Sequence, residues 1–399
     1  MKKYKYIIVG GGMTGSSAVM GIREIDPKGT IAMFSRDQYG PYNRPPLSKG
    51  LWGKGKVDDI MRPMEKYDVD MYLKDKIKAI HPAEKWVESQ NGEKYHYEKL
   101  LLATGGHPNH LKNMPQGAIY YRTLSDFNKL HEIVEKKHNF CVIGAGFIGS
   151  EIAAAINKQG KSVTMIFPEI GIAGRIFPDN LSEHMNRYYT DKGVKVLAGN
   201  LVNGVEKLED QYLVKYTNTE TGEQSEAVFD AVVVGVGIKP NIYLAEEAGL
   251  SVDNGIIVNK FLQTDNPDIY AAGDVANFYN AALGKRTRVE HEDNANTMGM
   301  LAGKNMAGEA TPYDHFPFFY SDLFDMGYEA LGDLHKDAEI VEDWIEPYQK
   351  GAIVYLEEQK VRGAIFWNLW GKVDLGREVI AEGKTYSPDA IKGVFTKSE

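Results

Sequence analysis

Six glycines stand at spacings that can hold phosphate. Gly10, Gly12 and Gly15 lie in IIVGGGMTGS at residues 7–16, and Gly144, Gly146 and Gly149 repeat the same G-x-G-x-x-G pattern in VIGAGFIGSE at residues 142–151. In such a turn the first glycine permits a tight bend, the second lets backbone approach a pyrophosphate, and the third lets the following helix pack closely; the helix N-terminus adds partial positive charge. One such motif also occurs in plain turns, whereas two, each between an apolar strand and a helix, point to two dinucleotides. An acid about twenty residues onward accepts from a ribose hydroxyl. In the second copy Glu169 closes the strand SVTMIF after one proline. A carboxylate there repels the extra phosphate of NADP and favours NAD, while Arg175 nearby is the feature that favours NADP. In the first copy the strand ends in Ser35-Arg36-Asp37, so a cation occupies the usual place and Asp37 is the remaining acid.

Cys141 is the only cysteine of the 399 residues, which excludes an intramolecular disulfide, structural or catalytic. Its place in the apolar run FCVIG reads as a buried strand residue. A protein with two dinucleotide sites and no thiol pair passes electrons most simply between FAD and NAD(H). His107 and His110 share a loop around Pro108, but no acid or cysteine cluster completes a ligand set, so no metal is expected. The net charge of −9 argues against a nucleic-acid partner, which needs a basic stripe. The opening MKKYKYIIVGGG has an apolar run of about four residues against the seven to fifteen of a signal peptide. No run approaches the roughly eighteen apolar residues of a spanning helix. No membrane span and a cytoplasmic location are therefore the expectation.

The elements that must carry these residues are readable in outline. Residues 4–35 read as strand, glycine turn, helix and strand, with Ala18, Val19, Ile22 and Ile25 at helical spacing. Residues 139–167 repeat the unit, with Ile148, Ile152, Ala155 and Ile156 on the helix. KLLLATGG from residue 99, AVVVGVG from 231 and IYAAGD from 269 read as further buried strands running into glycine. The last lies beyond the second unit, so the chain is expected to return and complete the first sheet. From about residue 313 the texture turns aromatic and strand-like, with a hairpin in GAIVYLEEQKVRGAIFWN and a helix near the end. The expected fold class is α/β: two doubly wound Rossmann-like domains, for FAD and NAD, plus a C-terminal α+β domain. The expected boundaries are 1–112 with 251–312 for FAD, 113–250 for NAD and 313–399 for the third domain.

PYNRPPLSKGLW at residues 41–52, with LLATGG, VIGAGFIGSE, MIFPE, VGVGIKPN, YAAGDVANF, RVEHEDNANTMGMLAGKNM and YSDLFDMGYEALG, spans nearly the whole chain. The set resembles the apoptosis-inducing-factor branch of the FAD-dependent pyridine-nucleotide oxidoreductases, and is similar also to rubredoxin, ferredoxin and oxygenase-coupled reductases. That resemblance implies an ion pair of Lys49 and Glu151 beside the flavin N5 as the catalytic element. The physics agrees: an ammonium near the ring favours its electron-rich reduced form, and the carboxylate keeps the buried charge compensated. The resemblance implies FAD contacts from Gly10, Gly12, Met13, Thr14, Gly15, Asp37, Arg44, Lys49, Ile77, Ala103, Thr104, Gly105, Arg122, Asp274, His291, Glu292 and Tyr320. It implies NAD contacts from Gly144, Gly146, Phe147, Ile148, Gly149, Glu151, Glu169, Arg175, Gly237, Glu290, Glu329 and Asn368. Tyr320 stands where the apoptosis-inducing factor carries a tryptophan, so the stacking surface there is smaller.

The expected activity is NADH:acceptor oxidoreduction through FAD. The acceptor stays open between a small iron-sulfur protein such as rubredoxin or ferredoxin, a quinone and oxygen. Lys54, Lys56, Lys74, Lys76 and Lys78 are the candidates for a basic rim toward an acidic redox protein. The alternative from another class is a redox sensor whose reduction by NADH controls dimerisation or partner binding. A homodimer is compatible with either.

Overall fold

A computed structural model of the chain describes residues 1–397. They fold as two compact units. The first comprises Met1–Pro45, Lys56–His107 and Lys239–Phe319; the second comprises Pro46–Gly55, Pro108–Ile238 and residues from Tyr320 onward.

The first unit is organised by a seven-stranded sheet. Its central strand Lys2–Val9 lies between Ile31–Ser35 and Lys94–Leu102, all parallel, with Ile8 opposite both Met33 and Leu101. The run YIIV is buried throughout, as a strand covered on both faces requires. Val69–Leu73 extends one edge, and Trp86–Ser89 with Ile77–His81 forms an antiparallel meander at the other. The strand Ile269–Ala271 pairs with the end of Lys94–Leu102, Ile269 opposite Leu100, so residues far along the chain complete this sheet. The helix Met13–Ile25 follows the first glycine turn and packs on Glu292–Met306. That approach is close because a Cβ on Gly303 would lie 2.1 Å from the Ala18 carbonyl oxygen.

The second unit holds a five-stranded parallel sheet in the order Val194–Leu197, Ser162–Ile166, Asn139–Ile143, Ala231–Val234, Ile119–Tyr120. The helix Phe147–Lys158 follows the second glycine turn, so the two strand-turn-helix units read in the sequence are both present. A three-stranded antiparallel sheet, Asn200–Lys207, Tyr212–Asn218 and Gln224–Phe229, shares a core with the parallel sheet through Val205, Val214, Phe229 and Cys141. The C-terminal part contributes a five-stranded antiparallel sheet in the order Phe318–Leu323, Met326–Gly332, Lys360–Trp367, Lys350–Glu357, Glu339–Glu346, followed by the helix Val373–Glu382. Its central hairpin turns at Glu358 and Gln359, with φ of 49° and 63°, the left-handed pair that a tight hairpin demands.

Candidate functional sites

The two glycine turns divide their labour in the same way. A Cβ on Gly10 would lie 2.0 Å from the Ala103 carbonyl oxygen, and one on Gly15 would lie 2.1 Å from the Gly10 oxygen. In the second unit the matching distances are 2.5 Å from Gly144 to the Gly235 oxygen and 2.1 Å from Gly149 to the Gly144 oxygen. The outer glycines are therefore needed for packing. The middle ones are different: a Cβ on Gly12 would meet nothing nearer than Arg44 Nη2 at 3.7 Å, and one on Gly146 nothing within 4 Å. Each middle glycine is also the N-cap of its helix, with no side-chain cap bond and no acid in the first turn. An exposed N-terminus of this kind, with its amide donors and dipole unmatched by the chain's own acids, fits a pyrophosphate.

The sequence-derived FAD residues of the first unit lie on several of its segments, Arg44 and Ala103 directly against the first turn. The Arg44 amide donates to Met13 Sδ, and Thr104 Oγ1 donates to the Asn241 carbonyl oxygen at 2.8 Å. Gly105 has φ of 61° and its oxygen accepts from the Asn241 amide. Ile77 is buried. Asp37 accepts from the Tyr42 hydroxyl at 3.1 Å and the Tyr39 amide at 3.3 Å. Asp274 sits in the short helix Gly273–Val275, and its carbonyl oxygen accepts from Arg288 Nη1 at 3.0 Å. Arg288 also pairs with Glu290 at 2.6 Å, so Glu290, assigned to the NAD set by resemblance, falls in the first unit. His291 caps the helix Glu292–Met306 and stacks on Phe319 at 4.3 Å between centroids. Burial pushes its pKa down to about 4 against the opposing pull of Asp274 and Asp293. The first turn of that helix carries Glu292 and Asp293, and Asp293 takes His315 Nε2 at 2.5 Å. Two residues that sequence reading missed brace this region. Arg288 is one. The other is Arg62, which donates to the Met13 carbonyl oxygen and to Asn296 Oδ1 at 2.8 Å.

Lys49, Arg122 and Tyr320, assigned to FAD by resemblance, lie in the second unit. The segment bearing Lys49 is fastened there by its neighbours. Trp52 Nε1 and the Tyr121 hydroxyl both donate to the Leu47 oxygen, Gln159 donates to the Trp52 oxygen at 2.7 Å, and the Trp52 ring packs edge-on to Phe127. Lys49 Nζ then donates to Glu151 Oε1, which brings together residues 102 apart in sequence. Asp322 Oδ2 lies 3.8 Å from the same ammonium, and the Tyr320 ring centroid 5.4 Å from it. Glu151 is only 5% exposed, on a helix buried from Gly149 to Ile156. Burial, reinforced by the negative charge of Glu151, holds the phenols of Tyr189 and Tyr328 well above their ordinary pKa. Arg122 offers its amide to Asp126, within the capping box of the helix Leu124–Lys136.

The remaining NAD residues cluster by local structure. Phe147 and Ile148 begin the second-turn helix and are exposed, unlike the turn that follows them. Glu169 Oε1 accepts from Arg175 Nε at 2.7 Å. Gly237 has φ of 88°. Asn368, at φ of 45°, accepts from the Gly327 amide, and Glu329 Oε2 accepts from the Gly371 amide at 3.0 Å. The two histidines read as non-ligands are engaged elsewhere: His107 bonds Asn241 at 2.7 Å and His110 packs on Tyr120. Cys141 is fully buried, and burial pushes its thiol pKa up.

Residues 4–299 match the pyridine nucleotide-disulphide oxidoreductase family. The chain is 35% identical to "Apoptosis-inducing factor 1, mitochondrial" of Dictyostelium discoideum, over 96% of this chain and 80% of that protein. It is 30% identical to the 5,5'-dehydrodivanillate O-demethylase ferredoxin reductase subunit of a Sphingobium species, over 99% of this chain and 98% of that one. Among solved structures, a ferredoxin reductase from Rhodopseudomonas palustris superposes with a TM-score of 0.88 at 27% identity, covering 98% of each chain.

Proposed function

The chain belongs to the pyridine nucleotide-disulphide oxidoreductase family and is an NAD(P)H-dependent flavoprotein oxidoreductase using FAD; on that premise we propose that it oxidises NADH and reduces a small iron-sulfur protein of ferredoxin or rubredoxin type. The observation that carries transfer to an external acceptor is Cys141: the only cysteine is fully buried in a strand, so electrons leave without passing through a protein dithiol. The ferredoxin-reductase relatives support an iron-sulfur protein as that acceptor.

When bound, FAD would supply the chemistry that couples a two-electron hydride donor to a one-electron acceptor. The chain's own residues do the rest. The first unit's glycine turn, with Arg44 and Thr104 beside it, holds FAD, and the second unit's turn, with Glu169, holds NADH. Glu169 accepts from the adenosine ribose and disfavours a 2'-phosphate, which sets the preference for NADH. Lys49 supplies a fixed positive charge for the electron-rich reduced ring, and Glu151 holds that charge in place. No general acid or base is needed for the hydride step.

The test is an anaerobic titration with NADH and with NADPH, read by visible absorbance, followed by ferredoxin, rubredoxin, a quinone and oxygen as acceptors. Bleaching by NADH and rapid reoxidation by an iron-sulfur protein are expected. Faster bleaching by NADPH overturns the role given to Glu169. A reduced state that outlasts every acceptor overturns the reductase reading and favours the NADH-responsive sensor. A cytoplasmic location is part of the proposal; among the described residues no helix is long and apolar enough to cross a membrane.

A further inference from the structure

Glu151 has more donors than an ion pair needs. Besides Lys49 on Oε1, that oxygen accepts from Ser321 Oγ at 2.6 Å, and Oε2 accepts from Ser48 Oγ at 2.5 Å. Both lengths lie in the range of charge-assisted O–H···O⁻ bonds. Both serines are buried, at 6% for Ser48 and 1% for Ser321. They come from separate parts of the chain, 103 and 170 residues away from Glu151. A hydroxyl has one proton to give, and both serines spend it on this carboxylate.

We infer that Ser48 and Ser321 are positioning residues that hold the plane of the Glu151 carboxylate, and so fix where the Lys49 ammonium sits. A hydroxyl on each oxygen opposes rotation of the carboxylate, and short charge-assisted bonds of this kind are directional. An alternative anchor for the ammonium lies close by: Asp322, 3.8 Å from Lys49 Nζ and half exposed. If Glu151 turned, Lys49 would swing toward Asp322 and the surface. Tyr328 in turn hydrogen-bonds Ser321.

The inference rests on the flavin role proposed for Lys49, but its main readout does not. In the FAD-loaded holoenzyme the carboxylate stretching bands of Glu151 are followed by infrared difference spectroscopy, with Glu151→Gln as the blank that assigns them. Ser321→Ala and Ser48→Ala are each expected to shift those bands, whose positions follow the hydrogen bonds to each oxygen, and Ser321→Thr, which keeps the hydroxyl, to return them toward wild type. Flavin reduction at saturating NADH is expected to slow about tenfold in each alanine variant as Lys49 loses its fixed place. If Ser321→Ala does not fold, Ser48→Ala reads the same property through the opposite oxygen. Bands unmoved by either substitution, in protein that melts as wild type, overturn the inference. If the bands move while Lys49→Met leaves reduction by NADH unchanged, the clamp stands and the flavin role of Lys49 falls.

Discussion

Lys49→Met, Glu151→Gln and their combination form a double-mutant cycle whose outcome the geometry sets. Lys49→Met leaves a carboxylate that is 5% exposed without its cation. Breaking a buried pair this way costs about 3 to 5 kcal/mol, and the two remaining serine donors place it near the low end, about 3. Glu151→Gln leaves an ammonium that is 15% exposed and already 3.8 Å from Asp322. A partial partner and some water make that loss smaller, about 2 kcal/mol. The double variant carries no unpaired charge, and its amide still meets both serines, so its loss is also about 2 kcal/mol where independent residues would give about 5. The assay is urea unfolding of the FAD-loaded protein at matched m-values, followed by tryptophan fluorescence, since Trp52 lies on the same segment as Lys49. A double variant whose loss equals the sum of the singles within about 0.5 kcal/mol refutes the coupling, and with it the claim that the pair is one buried unit.

The glycine turns make a sharper contrast. Gly15→Ala and Gly149→Ala drive a methyl to about 2 Å from a backbone oxygen and are expected to abolish folding of their unit, read as lost expression or lost circular dichroism. Gly146→Ala, with open space around it, is expected to leave the melting temperature within a few degrees while raising KM for NADH about tenfold or more by blocking backbone approach; an unchanged KM removes that turn from NADH binding. His291 gives a pH prediction. Its folded pKa of about 4 lies below the ordinary value of about 6.5, so the unfolded chain binds the extra proton between them. Stability is therefore full above about pH 6.5 and falls as pH drops toward 4, by at most about 3 kcal/mol. His291→Gln is expected to flatten that part of the pH–stability curve, and an unflattened curve rejects the assignment.

Much of this was legible in the chain because the informative signals are local. A glycine turn between an apolar strand and a helix is decided within about ten residues, by backbone sterics and by where amide donors point. Both strand-turn-helix units, the buried strand at Cys141 and the C-terminal hairpin followed from such short windows, and all are present. Lys49 and Glu151 were matched only through a family resemblance, since no spacing rule joins residues 102 apart. Ser48, Ser321 and Arg288 lie inside the motifs that carry the resemblance, but nothing in them assigned these three a role, and Arg62 lies outside every such motif. A serine in a loop and a serine in a strand look like any others until the fold delivers both hydroxyls to one carboxylate. Glu290, matched to NAD by the resemblance, has a carboxylate that pairs with Arg288 in the first unit, a contact the resemblance did not include.

By itself, then, the sequence determined which turns could hold a pyrophosphate, that no thiol pair could relay electrons, and the alternation of elements around both turns. These depend on residue type, on counts, and on geometry between near neighbours. The tertiary structure alone decided the state of Glu151. Whether a carboxylate is a surface charge or a buried, clamped one depends on what water is excluded and which donors replace it. Those donors arrive from segments brought together only when the strands of the second unit and its C-terminal sheet have paired.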